Sequence, residues 1–127
     1  MGGNQKFFEC GVCGNISGLV VDKGITMMCC GKKMQELTPN IVEASTEKHL
    51  PAVTVAGDTV SVQIGSVPHP MEDSHNIGFV FLETANGGQR KSLKVGAEPK
   101  CGFCLVDDKP VAVYAYCNLH GLWKTGV

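Results

Sequence analysis

The chain has 127 residues, 43% of them hydrophobic and 18% charged, and a formal net charge of -1. That apolar content excludes a disordered chain, and the near-neutral balance excludes a dedicated nucleic-acid binder, which carries a strong basic excess. No apolar run reaches the roughly 20 residues needed to cross a bilayer. The first ten residues hold one lysine and no apolar core, so no secretory signal is expected there, and Lys6 spoils a myristoylation pattern after Gly2. The expectation is a soluble cytoplasmic protein. The unusual entries are seven cysteines and four histidines, which in such a setting point to metal or redox chemistry rather than to a disulfide framework.

In chain order, the first segment carries four cysteines and short strand-like pieces such as Gly18-Leu19-Val20-Val21. Thr38-Pro39-Asn40 is turn chemistry, and the composition changes there. The predicted boundaries are 1–37 and 38–127. From Ile41 on, Ala52–Ala56 and Thr59–Ile64 alternate apolar and polar residues around Gly57-Asp58, which reads as a hairpin. Further predicted strands are Ile77–Glu83, Arg90–Val95, Phe103–Val106 and Val111–Tyr116. Asn86-Gly87-Gly88 and Asp107-Asp108-Lys109-Pro110 are read as turns between them. Short strands at regular spacing predict a mostly β fold, an antiparallel sandwich or barrel. A first segment of this size cannot bury a useful core alone and needs a metal, disulfides or a partner.

Cys10-Gly11-Val12-Cys13-Gly14 is a turn that aims two sulfurs at one point, and Cys29-Cys30-Gly31 follows fifteen residues later. Four thiolates suit a one-iron electron-transfer centre or a structural zinc, and the ligand set does not separate them. The adjacent pair Cys29-Cys30 is unusual for a zinc ribbon, because neighbours must bend the backbone to reach one ion. The second segment holds His49, His69, His75, Cys117 and His120 outside clear strand runs, with Glu47-Lys48 just before His49. Singly, each histidine reads as an ordinary loop residue, Cys117 as a buried thiol, and Glu47 and Lys48 as solvated charges. Jointly, His69-x5-His75 and Cys117-x2-His120 form two clips, and a mixed His/Cys set suggests a redox iron. Cys101 and Cys104 remain. Positions i and i+3 of a strand face opposite ways, which favours two ordinary thiols.

The motifs Cys10-x2-Cys13-x15-Cys29-Cys30, Glu47-Lys48-His49, Gly65-Ser66-Val67-Pro68-His69-Pro70-Met71-Glu72, His75 and Cys117-Asn118-Leu119-His120-Gly121-Leu122-Trp123-Lys124 resemble, in order and spacing, the desulfoferrodoxins, two-centre superoxide reductases. The resemblance covers nearly the whole chain. It implies a desulforedoxin-like domain with iron on Cys10, Cys13, Cys29 and Cys30. It also implies an immunoglobulin-like β-sandwich with a second iron on His49, His69, His75 and His120 in a plane and on axial Cys117. Superoxide would be reduced to hydrogen peroxide with no oxygen formed. By the same resemblance Lys48 attracts the anion, Glu47 closes the open position afterwards, Trp123 packs near the site, and a rubredoxin-like protein donates electrons. A homodimer is also implied, with Phe7 and Phe8 as apolar surface to cover. The other classes are a rubredoxin-like electron carrier with a structural second metal, and a zinc-stabilised binding module.

Overall fold

The computed structural model describes residues 4–41 and 46–127; the first three residues of the expected non-signal N-terminus lie outside them. Two compact units are present, one over Asn4–Thr38 and the other from Pro39 to Val127. Nearly all regular structure is antiparallel β.

The first unit is built from strands of two or three residues: β1 (Phe7–Glu9), β2 (Ile16–Gly18), β3 (Met28–Cys29), β4 (Lys32–Lys33) and β5 (Gln35–Glu36). They form a sheet in the order β2-β1-β5 and a separate β3-β4 hairpin. The core is small. Phe8, Cys10 and Met34 are buried, with Leu19, Met27 and Cys29 against them. The strand expected at Gly18–Val21 lies earlier, at β2, and Val20 and Val21 are exposed. Apolar runs this short cannot show which residues face inward. Phe7 and Phe8 are not an open apolar surface: Phe8 fills the small core, and Phe7 is buried with its ring at Gly18 across the β1–β2 pair. The exposed apolar residues of this unit are Val12, Val20, Val21, Ile25 and Met28.

The second unit begins, after the Pro39 turn, with a one-turn helix α1 (Thr46–His49). It continues through β6 (Pro51–Ala56), β7 (Thr59–Ile64), β8 (Ile77–Thr84), β9 (Gly87–Ser92), β10 (Lys100–Cys104), β11 (Pro110–Cys117) and β12 (Gly121–Gly126). The sheets run β10-β7-β6 and β12-β11-β8-β9, the three-plus-four layering of an immunoglobulin-like sandwich. Val60, Val62, Ile64 and Phe103 from one sheet meet Val80, Leu82, Val113 and Ala115 from the other. The period-two alternation of β7 and β8 places Val60, Val62, Ile64, Val80 and Leu82 inward. The hairpin at Gly57-Asp58 forms as expected, with Ala56 paired to Thr59.

Two strands depart from their expected bounds. β9 starts at Gly87, because the turn is Ala85-Asn86 and Thr84 pairs with Gly87. Gly88 is there for space: a Cβ would strike the Phe81 ring and come within 2.9 Å of the Leu82 carbonyl oxygen. β10 runs over Lys100–Cys104, earlier than Phe103–Val106, in unbroken register with β7. Cys101 accordingly packs against the core, Cys104 is exposed, and both are free thiols.

Candidate metal centres

In the first unit Cys10 follows β1 and Cys13 lies in the turn after it. The Cys10 carbonyl accepts from Gly14 N at 3.0 Å, and Cys10 N donates to the Asn15 carbonyl at 2.8 Å. That closes a loop around the sulfurs. Cys30 and Gly31 form the two-residue turn of the β3–β4 hairpin, with φ of 52° and 75°. Two consecutive positive φ values mark the primed turn that suits a hairpin. They also resolve the oddity of adjacent cysteines. On an extended strand Cys29 and Cys30 would point to opposite faces; the left-handed Cys30 turns its side chain so that the two sulfurs lie 4.0 Å apart.

The four sulfurs all lie within 4.8 Å of one another, and Cys13 Sγ is 3.6 Å from Cys29 Sγ. A tetrahedron of metal–sulfur bonds near 2.3 Å has edges of about 3.8 Å, so the set fits a single ion. Proton energetics point the same way. Backbone N–H groups of Cys13 and Val12, each 3.4 Å from Cys10 Sγ, hold that thiol down at about 6. Sharing with Cys13 and Cys10 pushes Cys30 up to about 12 and Cys29 upward as well. Crowded sulfurs cannot all ionise without a cation among them.

The second cluster gathers at one end of the sandwich. His49 ends α1, His69 lies in the loop after β7, and His75 lies in a tight loop before β8. Cys117 ends β11, and His120 lies in the turn before β12. The β11–β8 register shifts between Tyr116 and Cys117, a local irregularity of the kind that re-aims a side chain.

The four imidazoles make a near-square. Going round, ring centroids are 4.6 Å (His49–His69), 4.6 Å (His69–His75), 5.2 Å (His75–His120) and 4.8 Å (His120–His49) apart. The His49–His75 diagonal is 6.3 Å. Neighbouring rings stand at 73° to 90° to each other. His49 Nε2 and His120 Nδ1 are 3.0 Å apart, about the spacing of two nitrogens bonded at right angles to one ion at 2.1 Å. The ligand atoms of His49, His69, His75 and Cys117 lie within 4.8 Å of one another, and Cys117 Sγ is 3.8 Å from His120 Nδ1.

Proton positions in this cluster also suit a metal. His69 Nδ1 donates to the Pro70 carbonyl at 2.7 Å, which leaves the Nε2 lone pair free. The Nε2 atoms of His69 and His75 are buried and make no hydrogen bond, an arrangement that costs free energy unless a cation takes the lone pair. Burial holds His69 down at about 4, so it is neutral near pH 7. Trp123, almost fully buried, stacks on His49 at 4.9 Å and donates from Nε1 to the His120 carbonyl at 3.2 Å. Glu47 and Lys48 share the one-turn helix with His49, and both side chains are exposed.

Two contributors escaped sequence reasoning. Gly65 has a φ of 84° and lies against the Lys48 carbonyl, so the turn after β7 presses on α1. Asn118 ties two loops together. Its position between Cys117 and His120 was the available signal, but a polar residue in a turn has no distinctive spacing.

The desulfoferrodoxin family model matches residues 41–126. A desulfoferrodoxin homolog from Archaeoglobus fulgidus is 40% identical, over 96% of this chain and 97% of its own. The crystal structure of the superoxide reductase from Treponema pallidum matches with a TM-score of 0.81 and 35% identity, covering 96% of this chain and 98% of the other. A one-iron superoxide reductase from Giardia intestinalis matches 64% of this chain and 97% of its own at 32% identity, with a TM-score of 0.55. Likeness on this scale, in sequence and in fold and over nearly the full length, makes the chain a member of the desulfoferrodoxin family.

Proposed function

We infer that the protein is a superoxide reductase, adding one electron and two protons to superoxide to give hydrogen peroxide, with no oxygen produced. The observation that carries this reading is the square of four imidazoles with the Cys117 thiol beside it. In this reading His49, His69, His75, His120 and Cys117 hold the catalytic iron, and Cys10, Cys13, Cys29 and Cys30 hold a second iron in the smaller unit. When bound, the iron of the His/Cys cluster supplies the electron, and the thiolate donates charge to it.

The chain's own residues do the rest. Buried, neutral His69 offers its Nε2 lone pair without a competing proton, and the Pro70 carbonyl fixes its tautomer. Lys48, exposed beside His49, attracts the anion locally, because a net charge of -1 cannot steer it from afar. It also orders a water from which a proton reaches the product side. Glu47 on the same turn closes the site against other anions after peroxide has left. The role in oxidative-stress defence follows from the reaction.

An electron carrier with a structural second metal is not favoured: structural sites are closed four-ligand, cysteine-rich sets, whereas this cluster brings together four imidazoles and one thiol. Electrons come from a rubredoxin-like donor. The exposed Cys13 and Cys30 are the sulfurs such a donor would meet. Five cysteines held by metal and two unpaired thiols, Cys101 and Cys104, suit a reducing, cytoplasmic setting, and among the described residues no helix is long and apolar enough to cross a membrane. A homodimer would cover the exposed Val20, Val21 and Ile25 rather than Phe7 and Phe8.

Rapid mixing of the reduced, iron-loaded protein with superoxide tests the reading. Fast bimolecular consumption with peroxide and no oxygen is expected, along with two irons per chain. Zinc alone, or no consumption, would refute it.

A further inference from the structure

We propose that Asn118 is a positioning residue that docks the His75 loop onto the Cys117–His120 turn and so sets the His75 side of the imidazole square; this rests on the functional reading above. The loop is a rigid piece by itself. Glu72 N donates to the His75 carbonyl at 2.8 Å, and His75 N donates to the Glu72 carbonyl at 3.1 Å. The Asn76 side chain donates to the carbonyls of Glu72 at 2.9 Å and Asp73 at 3.3 Å.

Asn118 then clasps that piece from the other turn. Its Oδ1 accepts from Asn76 N at 2.8 Å, its Nδ2 donates to the Ser74 carbonyl at 3.0 Å, and its own N–H donates to the Asn76 carbonyl at 3.2 Å. The side-chain contacts fall on either side of His75 in sequence. One small side chain thus fixes His75 relative to two ligands on its own turn, Cys117 and His120. Aspartate cannot reproduce the clasp, since it accepts from Asn76 N but cannot donate to Ser74. Asn118 is exposed, so its removal leaves the core of the sandwich intact.

The test compares iron-loaded wild-type protein with Asn118→Ala and Asn118→Asp. The readouts are iron release to a chelator, followed separately at each centre by its visible bands, and hydrogen exchange of the 72–76 segment. Outer-shell losses typically cost 10–100-fold in metal affinity. Asn118→Ala is expected to release iron from the His/Cys centre about tenfold faster, shift its spectrum and speed exchange at the Glu72 and His75 amides, whose bonds are internal to the loop. The four-cysteine centre is expected to keep its wild-type rate, and Asn118→Asp to fall between. A wild-type release rate and spectrum in Asn118→Ala would overturn the proposal, as would equal acceleration at both centres. Wild-type protein that holds no iron on the His/Cys cluster would overturn the functional reading itself, and the proposal with it.

Discussion

Replacing Gly65 by alanine isolates the contact that holds α1 against the turn after β7. Two costs add. The first is conformational: at a φ of 84° an L-residue loses roughly 1 kcal/mol. The second is steric. An alanine Cβ would lie 2.6 Å from the Lys48 carbonyl oxygen and would also overlap the Val67 carbonyl oxygen. Neither can yield easily. Gly65 N donates to the Leu50 carbonyl at 3.0 Å, and Val67 N donates to the Glu47 carbonyl at 3.0 Å. Overpacking against locked groups costs about 1–3 kcal/mol.

Gly57→Ala is the internal control, because Gly57 has a φ of 62° but nothing within 4 Å of its would-be Cβ. It carries the conformational cost alone. The expected difference between the variants is therefore about 1–3 kcal/mol, several degrees or more in Tm at about 4–8 °C per kcal/mol for a unit of this size. Thermal and denaturant unfolding measure it. Iron release from the His/Cys centre gives the functional half, since a displaced α1 moves His49 relative to His69. Equal losses in Gly65→Ala and Gly57→Ala, with iron held equally well, would show that the close approach does not matter.

Lys48→Ala is expected to slow the encounter with superoxide several-fold and to flatten its dependence on ionic strength; stopped-flow rates equal to wild type would remove its steering role. Glu47→Ala should leave that encounter fast while letting added azide or cyanide perturb the oxidised spectrum at lower concentration than in wild type. Metal uptake by the four-cysteine site should release the protons of Cys29 and Cys30, whose thiols are pushed up. Its affinity should therefore keep rising with pH beyond 9, and titration calorimetry in buffers of different ionisation enthalpy checks this. His69 sits near 4 in the fold and near its ordinary 6.5 when unfolded. Below 6.5 the unfolded chain binds more protons, so metal-free protein should lose stability as pH falls from about 6.5 to about 4. Urea midpoints across that window should fall less steeply in His69→Gln, and an unchanged slope would refute the assignment.

The sequence by itself pointed to metal chemistry and to the residues that could carry it. Cys10-x2-Cys13 and Cys29-Cys30 read as a candidate ligand set because soft sulfurs at short spacing in a core-poor segment have little other use, and alternation in Thr59–Ile64 names a half-buried strand because the pleat has period two. It also placed the turn at Pro39-Asn40, since proline fixes φ locally. What is local in the chain was legible.

The non-local features waited for the tertiary structure. The square of His49, His69, His75 and His120 joins the end of α1 and three loops across more than half the sequence, and no spacing encodes a centroid distance. The turn at Cys30-Gly31 was only a requirement until its positive φ values appeared. Phe7 and Phe8 read as surface because so short a strand does not show which faces are covered. Gly88 read as a turn residue, when it is a strand residue kept small by the Phe81 ring. Residue type fixes what an atom can bind; only the packing of distant segments fixes whether five such atoms meet at one point.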